Sequence, residues 1–411
     1  MRANRLRSSM LLLCAATCVI SSCTSKGESG KPDPGTDPPT TVERCKDAHV
    51  LGEANSLTIE VADLTRAQLG STQEFLVPDD LVSVVVTLEA PNEIVTWERI
   101  SIDAQVISRF TDLFGGSGLS RSMPLFPNVA SLLYPNNEAT SQLGNCLRVK
   151  AGVLGGGTEE LRLSLMTLRR PERALGDHID LQFRVLDDAV SAGEAAQIAS
   201  KLEQLYYGAC DGFDCLLPKV HDEPLFLESE DGTGVVEVDE MMNYNSSFAQ
   251  LAMVVDDAVP RGLNVVFVNE LLMSMLEDDM TLLGMAGGIP STPFDGTPGS
   301  SLVISVDAHR DQSGALLAEF ISATVAHEVG HMMGLFHTTE QDGKSFDPLE
   351  DTPRCDAKTF DADSNGRVDA SECGSAGADN MMFWQASPSL DSHLTPAQAE
   401  VLRAHPLVYR K

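Results

Sequence analysis

The stretch His327-Glu328-Val329-Gly330-His331-Met332-Met333-Gly334-Leu335-Phe336-His337 concentrates residue types that bind a metal ion and move a proton. Histidines four apart on a helix project side by side, at the spacing two imidazoles need to share one tetrahedral ion. Glu328 follows His327 directly, roughly 100° round the helix, so it falls beside such an ion rather than on it. A carboxylate there can take a proton from an attacking water and pass it to a leaving amine. Gly334 permits a left-handed backbone that a side chain would disfavour, so the helix breaks and the chain turns to bring in His337 as third ligand. Three protein ligands leave one position open, the arrangement of a catalytic zinc; a structural zinc is closed by a fourth. The bland reading is a buried helix that happens to carry histidines.

A second constellation follows. Asp361-Ala362-Asp363-Ser364-Asn365-Gly366-Arg367-Val368-Asp369-Ala370-Ser371-Glu372 fits the calcium-binding loop position by position. Asp361, Asp363, Asn365, Asp369 and Glu372 supply side-chain oxygens, Gly366 the sharp turn, and Arg367 its backbone carbonyl. Pro353 upstream and Cys373-Gly374 downstream leave little room for two long helices, so an isolated loop holding a structural Ca2+ is expected. The alternative is a solvated acidic turn.

These sites need elements to hold them. A helical period runs from about Gly314 to Met333. Upstream, Ser191 and Glu194 form a capping box that opens a helix through Tyr207, with Ile198, Leu202 and Leu205 on one face. Residues 179–186, 263–268 and 302–306 read as strands, so an α/β unit over 174–411 contains the chemistry. Over 45–173 the texture is short β-type runs, clearest at 81–88 and 161–165, which predicts a small β-rich domain with Trp97 in its core and no motif of its own. The remaining histidines, His49, His178, His221, His309, His393 and His405, have no ligand spacing and read as surface or locally bonded residues. No Gly-rich phosphate loop, Ser-His-Asp order or redox cysteine pair competes for the active site.

Composition bounds location and partners. The 60 acidic against 29 basic residues give a net charge of −31, which argues against nucleic acid or an anionic lipid surface, since both need a basic footprint. Arg2, Arg5 and Arg7 precede an apolar run ending in Val19-Ile20-Ser21-Ser22-Cys23, which reads as a lipoprotein signal peptide over 1–22 with Cys23 receiving lipid; an ordinary secretory peptide is the alternative. Residues 23–44 read as a flexible tether. The protein is therefore expected outside the cytoplasm, lipid-anchored at a bacterial outer membrane or cell surface, or secreted. Of its nine cysteines, Cys14, Cys18 and Cys23 belong to the signal, and the even remainder in an oxidising compartment implies disulfides. Sequence proximity favours Cys210–Cys215 and Cys355–Cys373, leaving Cys45–Cys146 by elimination. The basic run Leu168-Arg169-Arg170-Pro171-Glu172-Arg173 reads as exposed and open to nicking. Residues 45–173 are thus either a pro-region, with an unpaired Cys45 or Cys146 capping the zinc as a thiolate, or a permanent accessory domain bridged by those two cysteines.

The histidine segment matches H-E-x-x-H-x-x-G-x-x-H, and over roughly 175–411 the chain resembles the metzincin zinc peptidases. Asp379-Asn380-Met381-Met382-Phe383-Trp384 resembles the Asn-x-Met-x-Tyr Met-turn of the pappalysin branch; the resemblance places Met382 beneath the zinc. His337-Thr338, Asp351-Thr352-Pro353, Cys355, the loop Met285-Ala286-Gly287-Gly288-Ile289-Pro290 and Leu394-Thr395-Pro396-Ala397-Gln398 agree with that branch. The resemblance implies an α/β fold with a twisted mixed sheet, active-site helix, Met-turn and C-terminal helix. It implies a zinc-dependent endopeptidase acting on protein or peptide substrates, with extended peptide docking on an antiparallel edge strand at 302–306. The family's tyrosine, which can lean toward the metal and stabilise the oxyanion, is replaced by Trp384; the resemblance implies Trp384 as the candidate transition-state stabiliser there, through a bulkier indole that can only donate. The rival reading is a catalytically weak, surface-anchored binding or adhesion lipoprotein.

Overall fold

The structure is a computed structural model that describes residues 10–12, 45, 48–64, 70–90, 93–109, 119–126, 128–141, 144–154, 161–221, 224–229, 232–238, 251, 262–273, 280–294, 296–297, 299–386 and 390–411. The expected signal peptide, save residues 10–12, together with Cys23 and the tether, lies outside the described residues.

Two antiparallel sheets build the first part of the chain. Its strands are β1 (Leu57–Leu64), β2 (Thr72–Leu76), β3 (Leu81–Glu89), β4 (Ile94–Ile102), β5 (Gln105–Arg109), β6 (Val129–Tyr134), β7 (Cys146–Leu154) and β8 (Leu161–Arg169). One sheet runs β2-β7-β4-β5, with His49–Val50 added parallel to β2 as the exception; the other runs β1-β8-β3-β6. Val84, Val86 and Leu88 share the sandwich core with Trp97, Ile100, Leu147 and Leu163. Val85, Leu133 and Met166, on the opposite face of the second sheet, instead join the core of the α/β part. That explains why β3 reads as a nearly unbroken apolar run rather than an alternation: its sheet is covered on both faces. The two parts of the chain therefore share a hydrophobic core.

The α/β part comprises β9 (His178–Leu186), α1 (Ala192–Ala209), β10 (Leu217–Val220), β11 (Leu263–Val268), β12 (Gly284–Ala286), β13 (Ser301–Ser305), α2 (Ala318–Met332) and α3 (Pro396–Ala404). Its sheet is ordered β10-β9-β11-β13-β12. The first four strands are parallel, and β12 pairs antiparallel to β13 at the edge. Residues 302–306 are therefore not the edge. Strand β13 sits inside the sheet, with Leu302 and Ile304 facing the helices and Val303 the other side. Gly284-Met285-Ala286, whose composition reads as a loop, takes the edge position.

Ser191 and Glu194 cap α1 with a capping box, and its face of Ile198, Leu202, Leu205 and Tyr206 is buried. Helix α2 begins at Ala318, later than the periodicity predicts. Asp311 accepts the backbone N–H groups of Ser313 and Ala315, and Gly314 has φ +83°, so the preceding residues close a turn instead. Thr395 and Gln398 cap α3 in the same reciprocal way as α1.

Disulfides join Cys45 to Cys146, Cys210 to Cys215, and Cys355 to Cys373. With both sulfurs bonded, neither Cys45 nor Cys146 can cap a metal as a thiolate, which removes that version of the pro-region. The basic connection is exposed at Pro171, Glu172 and Arg173 but held down before them. Arg169 bonds Asp80 and the Gly52 carbonyl, and Arg170 bonds the Val408 carbonyl; only Arg173 of the three is exposed. No helix among the described residues is long and apolar enough to cross a membrane.

Candidate metal centre

Helix α2 carries His327 and His331 on one face, and both are buried. After Met332 the helix stops. Gly334 has φ +104°, where a side chain would be strained, and the Leu335 N–H reaches back to the Gly330 carbonyl. The chain turns there and brings His337 back under the helix. The three Nε2 atoms converge: 2.9 Å separates His327 from His331, and 3.1 Å separates each of these from His337.

The other ring nitrogens decide what the converging ones can do. His327 Nδ1 lies 2.7 Å from the Met381 carbonyl oxygen, and His331 Nδ1 2.7 Å from that of Leu335. His337 Nδ1 lies 2.9 Å from Glu340 Oε2. Carbonyl and carboxylate oxygens accept, so each Nδ1 must donate; in the neutral ring the lone pair then lies on Nε2, the nitrogen that points inward. Burial, reinforced by the neighbouring imidazoles, holds His327 and His331 well below the usual histidine pKa, so both are neutral. Ligands about 2.1 Å from a tetrahedral zinc stand roughly 3.4 Å apart, close to the spacing seen. Three imidazole nitrogens facing one point fit Zn2+.

Glu328 is 3% exposed. Burial pushes its carboxyl up to about 8, opposed by the Ala286 backbone N–H that donates to it; a bound cation would favour the ionised form. The edge strand β12 thus reaches the glutamate directly. A Cβ at Gly284 would lie 3.1 Å from Glu328 Cγ and 2.9 Å from Ile304 Cδ1, so the strand can come this close only as glycine.

Below the histidines, a Cβ at Gly330 would lie 2.5 Å from Met382 Sδ. The thioether packs where a side chain would otherwise stand. Met382 is held by its N–H donating to Asn380 Oδ1 at 2.9 Å and its carbonyl accepting the Thr338 N–H at 2.9 Å. Asn380 in turn exchanges two amide hydrogen bonds with Gln398 of α3. Trp384 requires a correction. Its Nε1–H donates to the Val368 carbonyl at 2.8 Å and the side chain is 2% exposed, so it is committed to packing and is no oxyanion donor.

In the acidic loop, carboxylate oxygens of Asp361, Asp363 and Glu372 lie within 4.8 Å of one another. Asp361 accepts the N–H groups of Asn365 and Gly366, and Asn365 Oδ1 accepts that of Arg367. Asp369 is turned to the N–H groups of Ser371 and Glu372. A single helical turn, Ala357–Phe360, precedes the loop and Cys373 closes it. Elsewhere His309 is locally bonded, Nδ1 to the Ser305 carbonyl and Nε2 to Thr324 Oγ1.

Four residues escape sequence reasoning. Gly284 and Ala286 become relevant only once β12 is known to border α2. Gly330 needs the position of Met382. Glu340 carried a visible signal, a carboxylate three residues beyond His337, but outside a helix that spacing does not fix a contact.

No protein-family model matches the chain, and no curated protein matches it. Solved structures similar to part of it include archaemetzincin of Archaeoglobus fulgidus complexed with malonate, at 13% identity and TM-score 0.24, covering 40% of this chain and 83% of that one. Archaemetzincin of Methanopyrus kandleri gives 18% identity and TM-score 0.25, with 40% and 78% covered. Metalloproteinase-II of Bacteroides fragilis gives 13% identity and TM-score 0.29, with 56% and 53% covered. At TM-scores this low the likenesses carry no weight for activity, which must be judged from the site itself.

Proposed function

We propose that this chain is a zinc-dependent endopeptidase of the metzincin type that cleaves extracytoplasmic proteins. The observation that carries the reading is the convergence of three Nε2 atoms, at 2.9 to 3.1 Å, with the buried carboxyl of Glu328 next in sequence to His327 on α2. His327, His331 and His337 would hold the ion, which when bound supplies a Lewis acid able to make water nucleophilic at neutral pH. Glu328 takes the proton from the attacking water and delivers it to the leaving amine nitrogen. The Ala286 N–H aims the carboxylate while its proton load changes. An extended substrate would add antiparallel to β12, using the backbone groups that β13 leaves free. Met382 and Gly330 set the depth of the histidine cradle from below, the role implied for a Met-turn.

Purified protein is expected to carry about one zinc per chain and to digest casein until a zinc chelator is added. Casein hydrolysis that survives complete zinc removal would sink this reading. Stoichiometric zinc with no hydrolysis would favour the surface-anchored binding protein instead.

The same reading includes a structural Ca2+ in the loop from Asp361 to Glu372, supported by the convergence of Asp361, Asp363 and Glu372. Calcium would screen carboxylates that repel one another, so a calcium-selective chelator is expected to lower the melting temperature. The pair Asp361→Ala and Glu372→Ala should remove that dependence. Identical melting curves with and without chelator would leave the loop a solvated turn.

A further inference from the structure

The three candidate zinc ligands are not held alike. His327 and His331 stand on α2, and their Nδ1 atoms donate to carbonyls of the backbone. His337 lies beyond Gly334, where no helix fixes its direction, and its Nδ1 donates to a side chain, Glu340 Oε2, at 2.9 Å. We infer that Glu340 is the positioning residue of the third ligand, orienting the His337 ring and raising its donor strength toward zinc. The inference rests on the zinc reading above.

The carboxylate can do this because its own backbone is fixed. The Glu340 N–H donates to the Ser345 carbonyl at 2.9 Å, and its carbonyl accepts the Gly343 N–H at 2.8 Å, closing a turn. That turn is tied to the segment bracketed by Cys355 and Cys373: the Gln341 carbonyl accepts the Val368 N–H, and the Gly343 carbonyl accepts the Ala357 N–H, both at 2.9 Å. Val368 is held from its other side by Trp384 Nε1. Glu340 therefore reaches His337 from a braced turn, and its side chain is 16% exposed, enough shielding to keep the contact from being diluted by water. A carboxylate on the outer nitrogen fixes the tautomer with the lone pair on Nε2 and makes that nitrogen a stronger ligand. A carbonyl does the first and less of the second, so His337 would be the most strongly donating of the three.

The test compares zinc affinity, by competition with a chromophoric chelator, in the wild type, Glu340→Ala and Glu340→Gln. Glu340→Ala is expected to bind zinc about 10- to 100-fold more weakly. Glu340→Gln should fall between the two, since its Oε1 still accepts from Nδ1 but carries no charge. The zinc-free melting temperature of Glu340→Gln should match wild type, because the turn is built from backbone bonds. Zinc affinity of Glu340→Ala equal to wild type would overturn the inference. So would a glutamine variant as weak as the alanine, or a loss that tracks zinc-free stability alone. Wild-type protein that takes up no zinc would overturn the metal centre itself, a result separate from any difference among the variants.

Discussion

Glu328→Ala should keep its zinc and lose nearly all proteolysis. Glu328 follows His327 on α2 but is not among the residues whose ligand atoms converge, so its removal leaves the ligand set intact. What disappears is the group that accepts the water's proton and returns it to the amine. General acid–base catalysis of this kind is worth about 10² to 10⁴ in rate, and here one residue serves both halves of the transfer. His331→Ala should behave oppositely, losing metal and activity together, because two remaining imidazoles no longer enclose an ion. Measuring zinc content beside casein hydrolysis separates the two variants. An alanine variant at position 328 that digests casein at the wild-type rate would end the mechanism.

The second large effect is expected at Gly287, directly after the edge strand. A Cβ there would lie 2.1 Å from the Gly299 carbonyl oxygen and 2.2 Å from its Cα. Both are backbone atoms, and Gly299 has φ +88°, so neither chain can yield by turning a side chain aside. Overpacking typically costs about 1–3 kcal/mol, and a backbone-to-backbone contact belongs at the upper end. The displaced segment is the one that carries Ala286, whose N–H aims Glu328. A misplacement of about 1 Å at a catalytic group can cost roughly 10²-fold in rate, so Gly287→Ala should lower both the melting temperature and the rate. Gly208 near the end of α1 is the control, since nothing lies within 4 Å of a Cβ built there. Gly208→Ala should stabilise by about 0.5–1 kcal/mol. Wild-type melting and activity in Gly287→Ala would show that the two glycine backbones are not in contact.

What the sequence determined by itself is local. The spacing of His327, Glu328 and His331 needs only helical geometry, and Gly334 announces the turn because few residues tolerate its backbone. The caps Ser191/Glu194 and Thr395/Gln398 are reciprocal bonds across three residues, readable wherever the chain is helical. The acidic loop could be aligned position by position for the same reason: its groups are bonded mostly to each other. Where the residues bond across the chain, reading stopped. Strand β12 is too short and too glycine-rich to register as a strand, and only pairing with β13 makes it the edge that reaches Glu328. Strand β13, strongly apolar, was for that very reason a central strand covered on both faces. Trp384 could be placed beside a metal from its offset to Met382, but the Val368 carbonyl holds its indole elsewhere. The unbroken apolar run of β3 signalled burial without saying by what; half of it packs into the sandwich and Val85 into the α/β core. Each of these outcomes depends on which distant backbone group is within 3 Å or which face finds a partner, and those distances exist only once the whole chain has packed.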